Sequence, residues 1–164
     1  MFVPFDSLPD HARIWIYQSE RKITSDEKTI ISEGLQAFTH QWTVHGQPMD
    51  ASFVVLHDHF IILAANDQAS GCSIDSSVRA IKSLGDQLHI DFFNRNLIAF
   101  QKSNGVTTVM LQDLKKKFEE GTWNQDSLVF NNLVNTKKEL EKNWLITAGA
   151  SWLKRYLPRE TVAG

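Results

Sequence analysis

Two short apolar runs separated by three polar residues constrain the fold of this chain more than any other feature. Residues 52–56 and Phe60–Ala65 are rich in aromatic and β-branched side chains, and His57, Asp58 and His59 lie between them. Because β-prone runs joined by a short polar segment pair as a hairpin, we predict two adjacent antiparallel strands. Both runs are apolar at consecutive positions, so both faces of the predicted sheet need a cover.

Helical and strand patterns on either side of this hairpin indicate an α+β fold. Thr24 and Glu27 have the spacing of a capping box, and apolar residues follow at helical spacing. A second amphipathic helix is predicted over residues 74–88, and further strands over residues 12–18 and 96–101. The order strand, helix, strand, strand, helix, strand predicts a ferredoxin-like split βαβ fold, an antiparallel sheet with two helices on one face.

The length of 164 residues is that of one domain. We predict a single domain in which residues 1–105 form the split βαβ core and residues 106–164 form a helical C-terminal extension packed on it. The extension holds three of the five tryptophans, Trp123, Trp144 and Trp152. We expect the second face of the sheet to be covered by this Trp-rich extension or by a second copy of the chain, as a homodimer.

The composition excludes several classes of function. The chain has 17 Lys and Arg against 19 Asp and Glu, a net charge of -2, so there is no basic excess for binding nucleic acid. The longest wholly apolar run, Phe60–Ala65, is far shorter than the roughly 20 residues of a membrane-spanning helix. A single cysteine, Cys72, cannot form an intramolecular disulfide, and the N-terminus lacks the pattern of a signal peptide. We therefore expect a cytoplasmic protein that does not insert into membranes.

The segment that most suggests function surrounds Cys72, where a loop of small residues leads from a strand into the second helix. Unpaired N–H groups at a helix start carry partial positive charge, which stabilises a bound anion or a thiolate. Helical geometry predicts two sides of this helix. One side carries Cys72, Asp75, Ser76 and Arg79, and the opposite side packs through Ile74, Val78, Ile81 and Leu84. The candidate ligand-binding residues are Ser70, Gly71, Ser73, Asp75, Ser76 and Arg79.

Two functions are open for this segment. In the first, residues 70–77 form the site of a non-enzymatic binding module for a small anion or a protein partner, although the same residue types also suit an ordinary turn and helix cap. In the second, Cys72 is the catalytic nucleophile of a thiol-dependent enzyme or redox protein, and Arg79 positions an anion. We favour the binding module, and we predict no cofactor.

The histidines near the hairpin offer a third possibility. His57, Asp58 and His59 carry the ligand atoms of a transition-metal site, but the same three residues also make a polar hairpin turn. We favour the turn and predict no metal.

Four stretches resemble an uncharacterised family of short bacterial proteins that are often catalogued as ABC transporter ATPases. They are residues 8–19, 42–46, 70–78 and 136–144, the last followed by Ser151 and Trp152. The resemblance spans most of the chain. The family has no established activity, so the resemblance implies no catalytic residues. The catalogued label implies a P-loop, yet none of the eight glycines begins the pattern G-x-x-x-x-G-K-[ST].

Overall fold

The computed structural model describes residues 1–66 and 71–159, which form two compact units. Unit 1 consists of Met1–Asn94 and Leu133–Lys142, and unit 2 of Arg95–Asn132 and the described residues from Asn143 onward. The predicted boundary at residue 105 differs from the division into these two units. Residues 97–102, before that boundary, form a strand of unit 2, and residues 133–142, after it, belong to unit 1.

Nine strands and four α-helices are described, which confirms the α+β class. In chain order they are β1 (Arg13–Gln18), α1 (Ser25–Gln41), β2 (Thr43–Val44), β3 (Gln47–Pro48), β4 (Ala51–Leu56), β5 (Phe60–Ala65), α2 (Gly71–Leu88), β6 (Leu97–Lys102), β7 (Gly105–Met110), α3 (Leu114–Glu119), β8 (Leu128–Phe130), α4 (Lys137–Asn143) and β9 (Leu145–Thr147). Short 3-10 turns span Phe5–Ser7, Leu111–Asp113, Ala148–Ala150 and Trp152–Tyr156.

The sheet of unit 1 is antiparallel, in the order β1-β5-β4. The predicted hairpin is confirmed, since Leu56 pairs with Phe60 and the backbone of His57 and Asp58 takes positive φ angles of 55° each. Two consecutive positive φ angles fit the right-handed twist of the strands that the turn joins. Asp58 also forms an ion pair with Lys28, in which Nζ of Lys28 lies 2.7 Å from Oδ1 of Asp58.

Helices α1 and α2 pack on one face of this sheet. Ile61 and Leu63 of β5 form a buried cluster with residues that include Ile31 of α1 and Ile81 of α2. All six residues of β5 are fully buried, so the opposite face of this central strand is covered as well. The prediction from the apolar runs, that both faces need a cover, is confirmed for β5.

The predicted capping box begins α1. The N–H of Glu27 donates to Oγ1 of Thr24 at 3.2 Å, and the N–H of Thr24 donates to Oε1 of Glu27 at 3.0 Å. The Arg21 guanidinium adds two hydrogen bonds to the same carboxylate, at 2.8 and 2.7 Å. Glu27 therefore joins the first turn of the helix to the segment before it.

Glu27→Gln is expected to lower the free energy of unfolding by about 1 to 2 kcal/mol at pH 7, and by much less near pH 2. Hydrogen bonds from Arg21, then from Thr24, lower the pKa of Glu27 to about 2. The unfolded chain therefore binds more protons than the folded one, and the stabilisation is present above the ordinary pKa of 4.5 and lost as the pH falls towards 2. Urea unfolding at both pH values measures the difference.

A matched control for this variant lies on the same helix. Glu33 is exposed on α1, and Glu33→Gln is expected to change the stability by less than about 0.5 kcal/mol. Equal losses in the two variants, or a loss in Glu27→Gln that does not change with pH, would contradict the role given to the Glu27 carboxylate.

The predicted fourth strand of the ferredoxin-like sheet forms, but it lies in a different sheet. Residues 97–102, β6, pair with β7 and β8 in the order β7-β6-β8-β9, which is the sheet of unit 2. The tight turn before Gly105, whose φ is 123°, allows β6 to pair with the next strand along the chain. The free edge of β1 is instead met by Asn135, whose carbonyl accepts the N–H of Ile14 at 3.0 Å.

Unit 2 has its own core around Trp123. The indole stacks on Phe100 of β6, with ring centroids 5.7 Å apart, and its Nε1 donates to the carbonyl of Leu114 at 2.8 Å. Trp144 packs on Phe130, with centroids 4.9 Å apart. The extension that was predicted to be helical also contributes β7, β8 and β9, since its helices are short and its apolar residues pair as strands.

Candidate functional site

From Gly71 onward, the predicted binding segment lies within a helix and not in a loop. Helix α2 begins at Gly71, so residues 71–77 occupy its first two turns. Ser70 lies outside the described residues, as does the side chain of Cys72. Gly71 and Asp75 are exposed. The predicted helix started at residue 74, because the small residues before it are more typical of turns.

The packed face of α2 agrees with the prediction at Ile81 and Leu84, which are buried, and differs from it in the first two turns. Ser73 and Ser77 are buried, with 3% and 0% of their surface exposed, whereas Val78, predicted to be packed, is 37% exposed. The indole Nε1 of Trp42 donates to the carbonyl of Ser73 at 2.9 Å, and Oγ of Ser77 donates to the carbonyl of Ile74 at 2.6 Å. Small serine side chains allow close packing at this end of the helix, where a larger apolar residue was expected.

Among the other predicted residues, the structure brings Ser76 and Arg79 together. Nη2 of Arg79 donates to Oγ of Ser76 at 3.3 Å. Asp75 and Arg79 form no ion pair in the described part of the chain, although they lie four residues apart on the exposed side of α2. Ser73 does not join this group, because it lies on the packed side of the helix.

The histidines of the hairpin lie in its turn and contact each other. Nδ1 of His59 lies 3.2 Å from the carbonyl of His57, and burial, followed by the charge of His59, lowers the pKa of His57. The Lys28 ammonium holds the pKa of Asp58 below its usual range. Among the side chains that the structure describes, which exclude that of Cys72, no three of His, Cys, Asp or Glu are grouped in a way that could hold a metal ion.

An open cleft of about 670 Å³ lies at the other end of α2, within unit 1. Its lining residues come from the segment after β1, from α2 and from the segment after α2: Glu20, Val78, Lys82, Gly85, Asp86, His89, Ile90, Asp91 and Phe93. Two of them, Val78 and Phe93, are apolar side chains that are 37% and 42% exposed. The cleft therefore combines apolar surface with charged groups.

The end of α2 determines the shape of the cleft. The N–H of Ile90 donates to the carbonyl of Gly85 at 2.9 Å, and His89 between them has a φ of 57°, so the helix ends in a Schellman motif. A Cβ on Gly85 would lie 2.6 Å from the carbonyl oxygen of Ile90. Glycine is required at position 85 because the chain returns so close to the helix.

Three backbone N–H groups, two of which donate to carboxylates, hold the segment after α2 in place. The N–H of Asp91 donates to Oε1 of Glu20 at 3.1 Å, and the N–H of Glu20 donates to the carbonyl of Asp91 at 3.2 Å. The N–H of Phe93 donates to Oδ1 of Asp91 at 2.8 Å. The Phe93 ring lies edge-on to Tyr17, with centroids 5.7 Å apart. Phe93 is thus supported on one side and exposed on the other.

The charged groups of the cleft are available to a ligand. Three carboxylates, Glu20, Asp86 and Asp91, line it together with one ammonium group, that of Lys82. The side chains of Lys82 and Asp86 form no hydrogen bond or ion pair with any residue that the structure describes. They remain solvated and can exchange water for a partner's groups at little cost.

Sequence reasoning did not identify this cleft. Its residues are spread from position 20 to position 93, and the contact between Glu20 and Asp91 joins two segments far apart in the chain. Two features of the sequence could have indicated the cleft. They are Gly85 within an amphipathic helix, and the adjacent Phe92 and Phe93 after that helix. A glycine within a helix indicates a close approach of another backbone, and of two adjacent aromatic residues only one can readily pack inward.

In comparisons with known proteins, no family model, no curated protein and no solved structure matches the chain. The resemblance to the short bacterial family therefore stays a prediction. None of the described helices combines the length and the apolar character needed to cross a bilayer.

Proposed function

We propose that this protein is a non-enzymatic binding module that takes a protein partner on the exposed side of α2 and in the adjoining cleft. The observation that carries the proposal is the pair of exposed apolar side chains, Val78 and Phe93, in one open cleft with unpaired charges. Exposed apolar surface bordered by polar groups is typical of sites where proteins interact.

The exposed side of α2 connects the predicted segment with the cleft. Asp75, Val78 and Arg79 are exposed and are followed on the same side by Lys82 and Asp86, at helical spacings of three and four residues. An extended segment of a partner lying along the helix would reach the predicted residues near its start and the cleft near its end. This continuity favours a protein partner over a small anion, which would meet the Asp75 carboxylate.

The other expectations from the sequence stay predictions. The thiol-dependent enzyme with Cys72 as its nucleophile is the alternative function, and the pH dependence of iodoacetamide alkylation in the native protein distinguishes it. A thiol that reacts only at alkaline pH or after unfolding fits the binding module. The cytoplasmic location and the homodimer are likewise predictions.

A selection of phage-displayed random peptides against the protein tests the proposed site. We expect the enriched peptides to bind the wild-type protein and to lose affinity by about tenfold or more for the double variant Val78→Ser, Phe93→Ser, because two partly exposed apolar side chains contribute about 1.5 kcal/mol or more when covered. Circular dichroism confirms that the variant is folded.

Leu133→Ser is the matched control for this experiment, since Leu133 is also a large exposed apolar side chain of unit 1 and does not line the cleft. It is expected to leave peptide binding unchanged. A selection that enriches no peptides, or peptides that bind the double variant as tightly as the wild type, would overturn the proposed function.

A further inference from the structure

We infer that the segment bound in the cleft carries a basic side chain, Lys or Arg, next to an apolar one. This inference rests on the proposed function and specifies the chemistry of the partner. The apolar side chain is expected to lie against Val78 and Phe93, and the basic one beside the carboxylates at the border of the cleft. Three features of the cleft support this inference. They are its exposed apolar side chains, the excess of negative charge at its border, and the hydrogen bonds that hold two of its carboxylates in position.

The apolar centre of the cleft consists of Val78 and Phe93. Both side chains line the cleft and keep substantial exposed surface. A leucine or an aromatic residue entering here would cover surface on both Val78 and Phe93. Removing such surface from water favours the complex.

The border of the cleft is acidic. Glu20, Asp86 and Asp91 supply three negative charges, and Lys82 supplies one positive charge, which leaves an excess of two negative charges when His89 is neutral. A basic side chain is attracted to such a border and an acidic one is repelled. The charge of the cleft therefore complements a Lys or Arg of the partner.

Two of the carboxylates are held in position before any ligand arrives. Oε1 of Glu20 and Oδ1 of Asp91 accept backbone N–H groups, of Asp91 and Phe93 respectively. The second oxygen of each carboxylate has no hydrogen bond to a residue in the described ranges. A basic side chain can bond to these oxygens without first ordering the groups that carry them, which reduces the entropy lost on binding.

Fluorescence anisotropy with labelled synthetic octapeptides tests the inference. The parent peptide has arginine next to leucine within a Gly-Ser background, and its variants replace the arginine by glutamate or the leucine by serine. We expect the parent to bind more tightly than either variant by about tenfold or more, and its affinity to fall as the salt concentration rises.

Charge variants of the protein show which residues determine the affinity for the parent peptide. Asp86→Lys is expected to weaken binding of the parent peptide by about tenfold, and Lys82→Glu is expected to strengthen it. Glu33→Lys, on the exposed side of α1 and outside the cleft, makes the same charge change and is expected to alter the affinity less than threefold. Neither Asp86 nor Lys82 has a side-chain bond to a described residue, so these variants are expected to fold.

The possible failures are distinguishable. If phage-selected peptides bind and respond to Val78→Ser, Phe93→Ser but are acidic or lack basic residues, the inference is overturned and the proposed function stands. If no peptide binds, both fail. Spermidine is a cation without an apolar side chain, and equal affinity for spermidine and the parent peptide would overturn the pairing of basic and apolar groups.

Discussion

Gly85→Ala is expected to lower the free energy of unfolding by about 2 to 3 kcal/mol, although alanine is the better helix former by about 1 kcal/mol. The added Cβ would lie 2.6 Å from the carbonyl oxygen of Ile90, a distance that requires the backbone to move. Moving it weakens the hydrogen bond from the Ile90 N–H to the Gly85 carbonyl, which closes the end of α2. Urea unfolding followed by circular dichroism measures the loss.

Gly71→Ala is the matched control in the same helix. A Cβ at Gly71 meets no atom of the described residues within 4 Å, so this variant is expected to be unchanged or stabilised by up to about 1 kcal/mol. A loss of stability in Gly85→Ala together with a gain in Gly71→Ala would show that the close approach of the Ile90 carbonyl determines the effect at position 85. A Gly85→Ala protein as stable as the wild type would contradict it.

Lys137→Ala is expected to lower the free energy of unfolding by about 2 to 4 kcal/mol, since it removes hydrogen bonds from a charged donor and leaves a buried acceptor without a partner. Lys137 is only 6% exposed, and its Nζ donates to the carbonyls of Leu8 and Asp6 at 2.7 and 3.2 Å. The ammonium also lies over the ring of Phe5, 5.8 Å from the centroid. These bonds attach the start of α4 to the N-terminal segment.

The neighbouring lysine provides the comparison for this prediction. Lys138 is exposed, and Lys138→Ala is expected to change the stability by less than about 0.5 kcal/mol. Chemical denaturation of the two variants side by side gives the difference. Similar stabilities for Lys137→Ala and Lys138→Ala would show that the buried ammonium contributes nothing to unit 1.

Local patterns in the sequence predicted local structure well. The capping box at Thr24 and Glu27 and the turn at His57 and Asp58 depend on residues within a few positions of each other, so short-range rules suffice for them. The partner of β6 depends instead on competition between strands that are far apart. A hairpin closed at Gly105 brings its strands together at a small entropic cost, and the sequence order alone does not reveal this competition.

The candidate site was harder to predict than the fold. The exposed residues of α2 near Asp75 and Arg79 were identified from helical spacing. The packed side was assigned from hydrophobicity, which was right for Ile81 and Leu84 and wrong for Val78. Ser73 and Ser77 pack inward because they are small, a property that periodicity of apolar residues does not measure. The cleft depends on Glu20 meeting Asp91, and no pattern within either segment indicates that contact.

Because residues 133–142 belong to unit 1, a ribosome synthesises β6, β7 and β8 before unit 1 can be completed. Until then the N–H of Ile14 lacks the carbonyl of Asn135, and the carbonyl of Ala12 lacks the N–H of Lys137. A nascent chain of about 100 residues therefore exposes an open edge on β1, the kind of surface on which strands from other chains add. An expression fragment that ends at residue 94 contains the whole β1-β5-β4 sheet and is still incomplete, so a shortened unit 1 needs the 133–142 segment joined back to it.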